Sequence, residues 1–351
     1  MAEQIGPSSC DFVPFDTQKQ GLKYIAVSHL DKRFSDKPDS LGLVDLSFGI
    51  DQGKITAIIG ESGSGKTTLL RLIYGLLKPD KGEIRFKGWK VPSPDEKLIP
   101  GHSDMRMVSQ HFDDLNTYAN VWDNVASRLS NTDLQEKHDK TEVVLKSLNI
   151  LQLAKQRVAD LSGGEKQRVA IARALITGPE VLLMDEPFNQ VDASFRDHLQ
   201  HDIRNIVENT GLTVLMVSHD PTEVLALADE VLVLKAGKLM ANGKTVDIYH
   251  QPPNSYSATL LAKSNCLGGK DALLLGAVWK NKAVIHPEWI SLFDDAEGEF
   301  QVSEILFKGF FEEITVQKGP LFLRVTNKQP GKFSKGQRVR AIADHFVEVE
   351  D

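Results

Sequence analysis

The chain has no apolar run approaching the roughly 18 residues needed to cross a membrane as a helix. Any membrane role therefore needs spanning helices from another chain. Its first residues, Met1-Ala2-Glu3-Gln4-Ile5-Gly6-Pro7, have neither a basic stretch nor an apolar stretch, so no export leader is expected. Only two cysteines occur in 351 residues. Cys10 and Cys266 fit no metal-ligand or redox spacing and are expected to be reduced thiols in a cytoplasmic protein. A basic excess is missing too: 41 Lys and Arg face 48 Asp and Glu, a formal net charge of −7. A nucleic-acid partner is not expected from that balance. No N-K-x-D guanine-reading pattern occurs, and no internal repeat of any nucleotide motif is visible. What remains is an ordinary globular composition, 41% hydrophobic and 25% charged, long enough for about two domains.

Against that background one stretch stands out. Gly60-Glu61-Ser62-Gly63-Ser64-Gly65-Lys66-Thr67 follows the apolar run Lys54-Ile55-Thr56-Ala57-Ile58-Ile59 and precedes the helical pattern Thr68-Leu69-Leu70-Arg71-Leu72-Ile73-Tyr74. A strand, a glycine-rich loop and a helix are predicted. The pattern G-x-x-x-x-G-K-[ST] is a phosphate cradle. Its glycines turn backbone N–H groups inward around an anion, Lys66 adds a point charge, and the Thr67 hydroxyl can ligate Mg²⁺. The positive end of the helix dipole adds to the attraction.

Elsewhere the pattern alternates between strands and helices. Strands are predicted over 24–29, 43–48, 83–86 and 105–109, the last ending at Gln110, with a surface excursion over 88–103. Helical periodicity runs over 120–153, and Val143, Val144, Leu145 and Leu148 are expected on one apolar side. Leu161-Ser162-Gly163-Gly164-Glu165 opens a helix reaching about residue 177, with Ser162 and Glu165 as a capping box. Two adjacent glycines there cost helix stability, which makes sense if something approaches that backbone closely. Val181-Leu182-Leu183-Met184-Asp185-Glu186 and Thr213-Val214-Leu215-Met216-Val217-Ser218-His219 read as buried strands that deliver chemistry at their C-terminal ends. A helix over 192–209 separates them. The result is a doubly wound α/β domain with a mainly parallel sheet. From about residue 265 helical periodicity disappears and short β-type segments alternate with turns, which predicts a small separate all-β barrel of the OB type. The division expected is an extension over 1–21, an α/β domain over 22–264 and a β domain over 265–351.

Taken in order, residues 60–67, Gln110, residues 161–165, Asp185-Glu186 and His219 resemble the P-loop ATPase subunit of ATP-binding-cassette transporters, over about residues 22–262. The resemblance implies that Gly60, Glu61, Ser62, Gly63, Ser64, Gly65, Lys66, Thr67 and Thr68 hold the phosphates of ATP. Thr67, Gln110 and Asp185 would serve Mg²⁺. Glu186 would polarise the attacking water, and His219 would touch the γ-phosphate and align that water. Lys66, Gln110, Glu186 and His219 are then the catalytic set. Phe34 stands where the family places a ring that stacks on adenine, though it reads equally well as a core residue. Ser162, Gly163, Gly164 and Glu165 would close over the ATP of a second copy of the chain, so a homodimer is implied. Asn189-Gln190-Val191-Asp192 departs from the family's S-A-L-D and keeps only Asp192. Residues 118–125 match where such ATPases receive a membrane permease; Trp122 is either an exposed anchor for that partner or packing within the helical region.

Val284-Ile285-His286-Pro287-Glu288-Trp289-Ile290-Ser291-Leu292 is similar to the R-P-E-x-[IL]-x-L phrase in the accessory barrel of importer ATPases for ferric iron, polyamines, sulfate, molybdate or maltose, with His286 in place of Arg. The function implied is an ATP-hydrolysing subunit, peripheral on the inner face of the cell membrane, working with permease subunits and indirectly with a solute-binding protein. Two other readings stay open. One is a soluble ATP-driven switch that uses the same cassette without transport. The other gives the C-terminal barrel a regulatory ligand. Cargo is not legible.

Overall fold

The computed structural model describes residues 23–34, 42–110, 114–278 and 282–349. The expected extension over 1–21 and Cys10 lie outside them. At the centre is a six-stranded sheet in the order Lys238–Lys244, Glu230–Lys235, Ile55–Gly60, Thr213–Ser218, Val181–Asp185 and Met105–Val108. Five of the strands are parallel, and Lys238–Lys244 pairs antiparallel at one edge. Every residue of Ile55–Gly60, Val181–Asp185 and Thr213–Ser218 is buried. These are strands covered on both faces, which is why their sequences are continuous apolar runs.

The period-2 pleat then sorts the residues into two layers. Ala57, Ile59, Leu182, Met184, Val214 and Met216 join one core, with the helices Gly163–Leu175 and Ala193–Thr210. Ile58, Leu183, Leu215 and Val217 join the other, with the helix Lys66–Tyr74 and a four-stranded antiparallel sheet built from Leu43–Ile50, Ile25–Lys32, Lys81–Phe86 and Trp89–Lys90. The strand predicted over 24–29 alternates between buried and half-buried residues only over 25–28. His29 takes φ 48° at an irregularity in the strand pairing, so Leu30 rather than His29 is buried.

The periodic stretch 120–153 resolves into Val121–Ala126, Leu134–Ser147 and a short 3-10 turn, Leu151–Leu153. One expectation is corrected here. Val143 does not share the apolar side with Leu145 and Leu148, because it is 64% exposed, and Thr141 occupies the buried face instead. The Thr141 hydroxyl donates to the Lys137 carbonyl at 2.7 Å, which lets a polar residue sit there without penalty. This helical region is tied to the sheet layer by a buried ion pair between Arg168 and Asp202. Arg168 also donates to the Leu148 carbonyl at 2.6 Å, and Asn149 donates to Asp202 at 2.9 Å. Removing one member of such a pair costs about 3–5 kcal/mol, because the other charge is left buried.

The C-terminal region is all β, as expected. It comprises a three-stranded antiparallel sheet (Asn265–Gly268, Lys282–Ile285, Val347–Val349) and a five-stranded one in the order Ile290–Asp294, Arg338–Ala343, Phe300–Phe307, Glu312–Lys318, Leu321–Asn327. Leu292, Phe300, Val316 and Leu323 lie in their shared core. A small cluster of Ala258, Val284 and Val349 joins the first sheet to the helix Ser255–Ala262.

His286 sits fully buried at that junction. Its Nε2 lies 2.7 Å from the Tyr249 carbonyl and its Nδ1 2.6 Å from the Ser264 hydroxyl, while the ring stacks on Trp289 with centroids 3.8 Å apart. A carbonyl only accepts, so Nε2 carries the proton on that side, while the single Ser264 hydroxyl proton lies between Nδ1 and the Ala258 carbonyl, 2.8 Å from the hydroxyl. Burial holds the imidazole below its ordinary value of 6.5, with the Tyr249 carbonyl and Glu288 opposing that shift. An unfolded chain therefore takes up a proton at His286 near pH 6.5 that the folded chain resists. Stability should fall as pH drops through that value. Thermal melts at pH 7.5 and 5.5 should show a larger loss for the natural chain than for His286→Gln; equal losses would mean that this ring does not set the slope.

Candidate active site

The site forms where the central strands end. Gly65 caps the helix Lys66–Tyr74 at φ 99°, a conformation favouring glycine, and no side chain caps this helix end. The first helical N–H groups are thus left for an anion. No acidic residue occupies the first turn. Lys66 is buried, and its ammonium donates to the carbonyls of Gly60 at 2.8 Å and Glu61 at 3.0 Å. Desolvation lowers its pKa, opposed by the charges of Glu186 and Asp185. Ser64 is buried with its hydroxyl unpartnered among the described residues, whereas Glu61, Ser62 and Gly63 face solvent.

The acids meet the loop directly. The Thr67 hydroxyl donates to Asp185 at 2.9 Å, joining residues 118 apart in sequence. Burial pushes the Asp185 carboxyl up, the Thr67 bond pulling it back. Glu186 follows at φ 51°, a left-handed conformation uncommon outside glycine. Gln110 donates to its Oε2 at 3.2 Å, and His219 Nδ1 lies 3.4 Å from its Oε1. Four separate segments therefore bring Lys66, Thr67, Gln110, Asp185, Glu186 and His219 to one edge. No group of three or more His, Cys, Asp or Glu side chains with metal-binding geometry occurs among the described residues. A hydroxyl, a carboxylate and an amide oxygen do suit Mg²⁺, which keeps most of its shell as water and phosphate oxygen.

The remaining expected residues lie away from this edge or at its rim. Phe34 is 58% exposed, so it is not a core residue; the Lys32 ammonium is 5.9 Å from its ring centroid. Ser162 and Glu165 make the capping box: Glu165 Oε2 accepts from the Ser162 N–H at 2.9 Å and from its hydroxyl at 2.8 Å, and the Glu165 N–H points back at 3.4 Å. What approaches the two glycines closely is this chain's own loop. A Cβ on Gly163 would lie 2.6 Å from the Gln190 carbonyl oxygen, and one on Gly164 3.4 Å from the Val191 side chain. Trp122 packs against the helical core, its ring 4.9 Å from that of His138, and Tyr118 is the exposed aromatic of that segment at 90%.

Two features were not legible as parts of the site. Tyr256 places its hydroxyl 3.4 Å from the Glu61 N–H and donates to the Leu234 carbonyl at 3.2 Å, bracing the loop's first peptide. Beside Ser109 lies a cleft of about 570 Å³ lined by Arg71, Arg106, Arg128 and Arg173 against the single acid Asp114. Nε and Nη1 of Arg173 are buried there without a partner among the described residues. Nothing in the spacing of these arginines announced that they converge.

A glycine-rich loop between a central parallel strand and a helix, facing acids on the next strand but one, defines the fold and site of a P-loop nucleoside triphosphatase. Residues 43–189 match the family model described as ABC transporter. The chain is 35% identical over 318 residues to the spermidine/putrescine import ATP-binding protein PotA of Bacteroides thetaiotaomicron; the alignment covers 84% of this chain and 66% of that protein. Among solved structures it resembles cbiO1 of Clostridium perfringens, described as part of the ABC transporter complex cbiONQ. That match has a TM-score of 0.59 and 28% identity, and covers 65% of this chain and 90% of the other. Residues 43–189 carry the ATPase domain of the ATP-binding-cassette family, the domain that holds this site, and the chain spans 66% of the length of the curated relative it matches. No helix among the described residues is long and apolar enough to cross a membrane.

Gly163→Ala tests the close approach. The new methyl displaces a backbone carbonyl rather than a flexible side chain, so the melting temperature should drop by an amount corresponding to about 1–3 kcal/mol. An unchanged melt would show that the loop yields freely.

Proposed function

We propose that this chain is the ATP-hydrolysing subunit of an importer, energising membrane partners from the cytoplasmic face. The Thr67 to Asp185 hydrogen bond carries the reading, because it sets the phosphate cradle against the acid strand in hydrogen-bond contact. Lys66 and the loop amides would bind the β- and γ-phosphates of ATP, and the exposed Phe34 ring would stack on adenine. Mg²⁺, held by Thr67, Gln110 and Asp185, would supply charge neutralisation on the phosphates. Glu186 orients and polarises the attacking water, and His219, beside its other oxygen, aligns that water with the γ-phosphate. With one set of motifs in the chain, residues 162–165 would act on the nucleotide of a second copy. The β region from residue 265 onward would be an accessory domain. Cargo selection would lie in partner chains.

The arginine-lined cleft supports a membrane partner whose docking helix carries acid. A buried guanidinium with two nitrogens unpartnered among the described residues is costly, and a carboxylate is the bidentate partner it fits. Capturing the tagged chain in mild detergent should recover a stoichiometric multi-span protein, and Arg173→Glu should reduce that recovery at least tenfold. Recovery of soluble partners alone would favour a non-transport ATPase switch.

The catalytic assignment has its own test. Glu186→Gln should abolish turnover, by about a hundredfold or more, while ATP still binds and a closed ATP-bound dimer accumulates. Near-normal hydrolysis would remove Glu186 from the role.

A further inference from the structure

Glu186 is followed by Pro187, Phe188 and Asn189, and these four residues form a turn in which the Asn189 N–H donates to the Glu186 carbonyl at 3.3 Å. Proline fixes φ at the second position of such a turn. Phe188 is fully buried and pins the third. The fourth side chain is thereby brought back over the first. The Asn189 Nδ2 group donates to Glu186 Oε2, the oxygen that Gln110 also reaches at 3.2 Å. Among the described residues the other oxygen, Oε1, has His219 Nδ1 at 3.4 Å.

This is a division of labour within one carboxylate. Oε2 is held by two amide donors from separate segments, and Oε1 is left toward His219. A base that turns freely about its last torsion spends little time aimed at water, so fixing one oxygen places the other. We propose that Asn189 is a positioning residue for hydrolysis, anchoring Glu186 so that Oε1 meets the attacking water. The inference rests on the ATPase reading above. The loop that carries Asn189 is itself fixed next door, where Gln190 and Val191 pack against Gly163 and Gly164.

Asn189 is exposed, so its substitution should not disturb folding. The purified full chain with Mg·ATP is the test system. Asn189→Ala should lower kcat about tenfold with KM for ATP within twofold and an unchanged melt. Asn189→Gln keeps the donor and should recover most of that loss. Asn189→Asp sets a carboxylate against a carboxylate and should fall below Asn189→Ala. An Asn189→Ala chain with natural kcat, one that loses affinity instead of rate, or an Asn189→Gln chain no better than Asn189→Ala would each overturn the proposal. If Glu186→Gln also turned over normally, the catalytic role of Glu186 on which the anchor rests would fail; if only that variant were inactive, the anchor alone would.

Discussion

A buried ammonium without a hydrogen-bonded carboxylate is the constraint on which the rest of the molecule depends. Lys66 is 7% exposed and bonded to two carbonyls. Removing a charge from water costs far more than two neutral acceptors return, so the protein must offset the charge by other means. It does so with the nearby charges of Asp185 and Glu186, delivered by the next strand but one in the sheet. Those strands are buried on both faces, which makes their ends fixed points. The cost that remains favours any anion arriving in the cradle, so the affinity for phosphate is set up by the fold before a nucleotide appears.

Much of this was legible in the residues. The loop 60–67 announces itself because a tight anion cradle admits few sequences, and the acid strand because four apolar residues run straight into Asp185. Both cases involve neighbours in sequence that become neighbours in function. Contacts across the chain were harder. Val143 was placed on the apolar side by helical period alone, yet a hydroxyl that satisfies itself on its own backbone let Thr141 take the buried place. His29 fell out of register because a strand irregularity shifts the pleat by one residue, and no composition signal marks it. The four arginines of the cleft come from segments as far apart as Arg71 and Arg173.

The C-terminal region illustrates the same limit in milder form. Its strands were visible as short apolar segments, but its division into sheets of three and five strands depends on pairings between residues as distant as Val284 and Val347. The junction with the ATPase domain reads in sequence as an arginine replaced by His286. In space it is a sealed polar knot in which an imidazole, a serine, a tyrosine carbonyl and an indole satisfy one another. A charged guanidinium could not be buried there on those neutral partners alone.

The two signature glycines were expected to leave room for a ligand from outside, and they also leave room for the chain itself, at Gln190 and Val191. The helix start and the loop after Glu186 are therefore two halves of one joint, shaped against each other. Anyone building chimaeras of such cassettes inherits that joint. A helix start transplanted without its loop brings a backbone cut to the wrong partner, so the two segments form a single exchangeable module although about twenty-five residues of chain separate them.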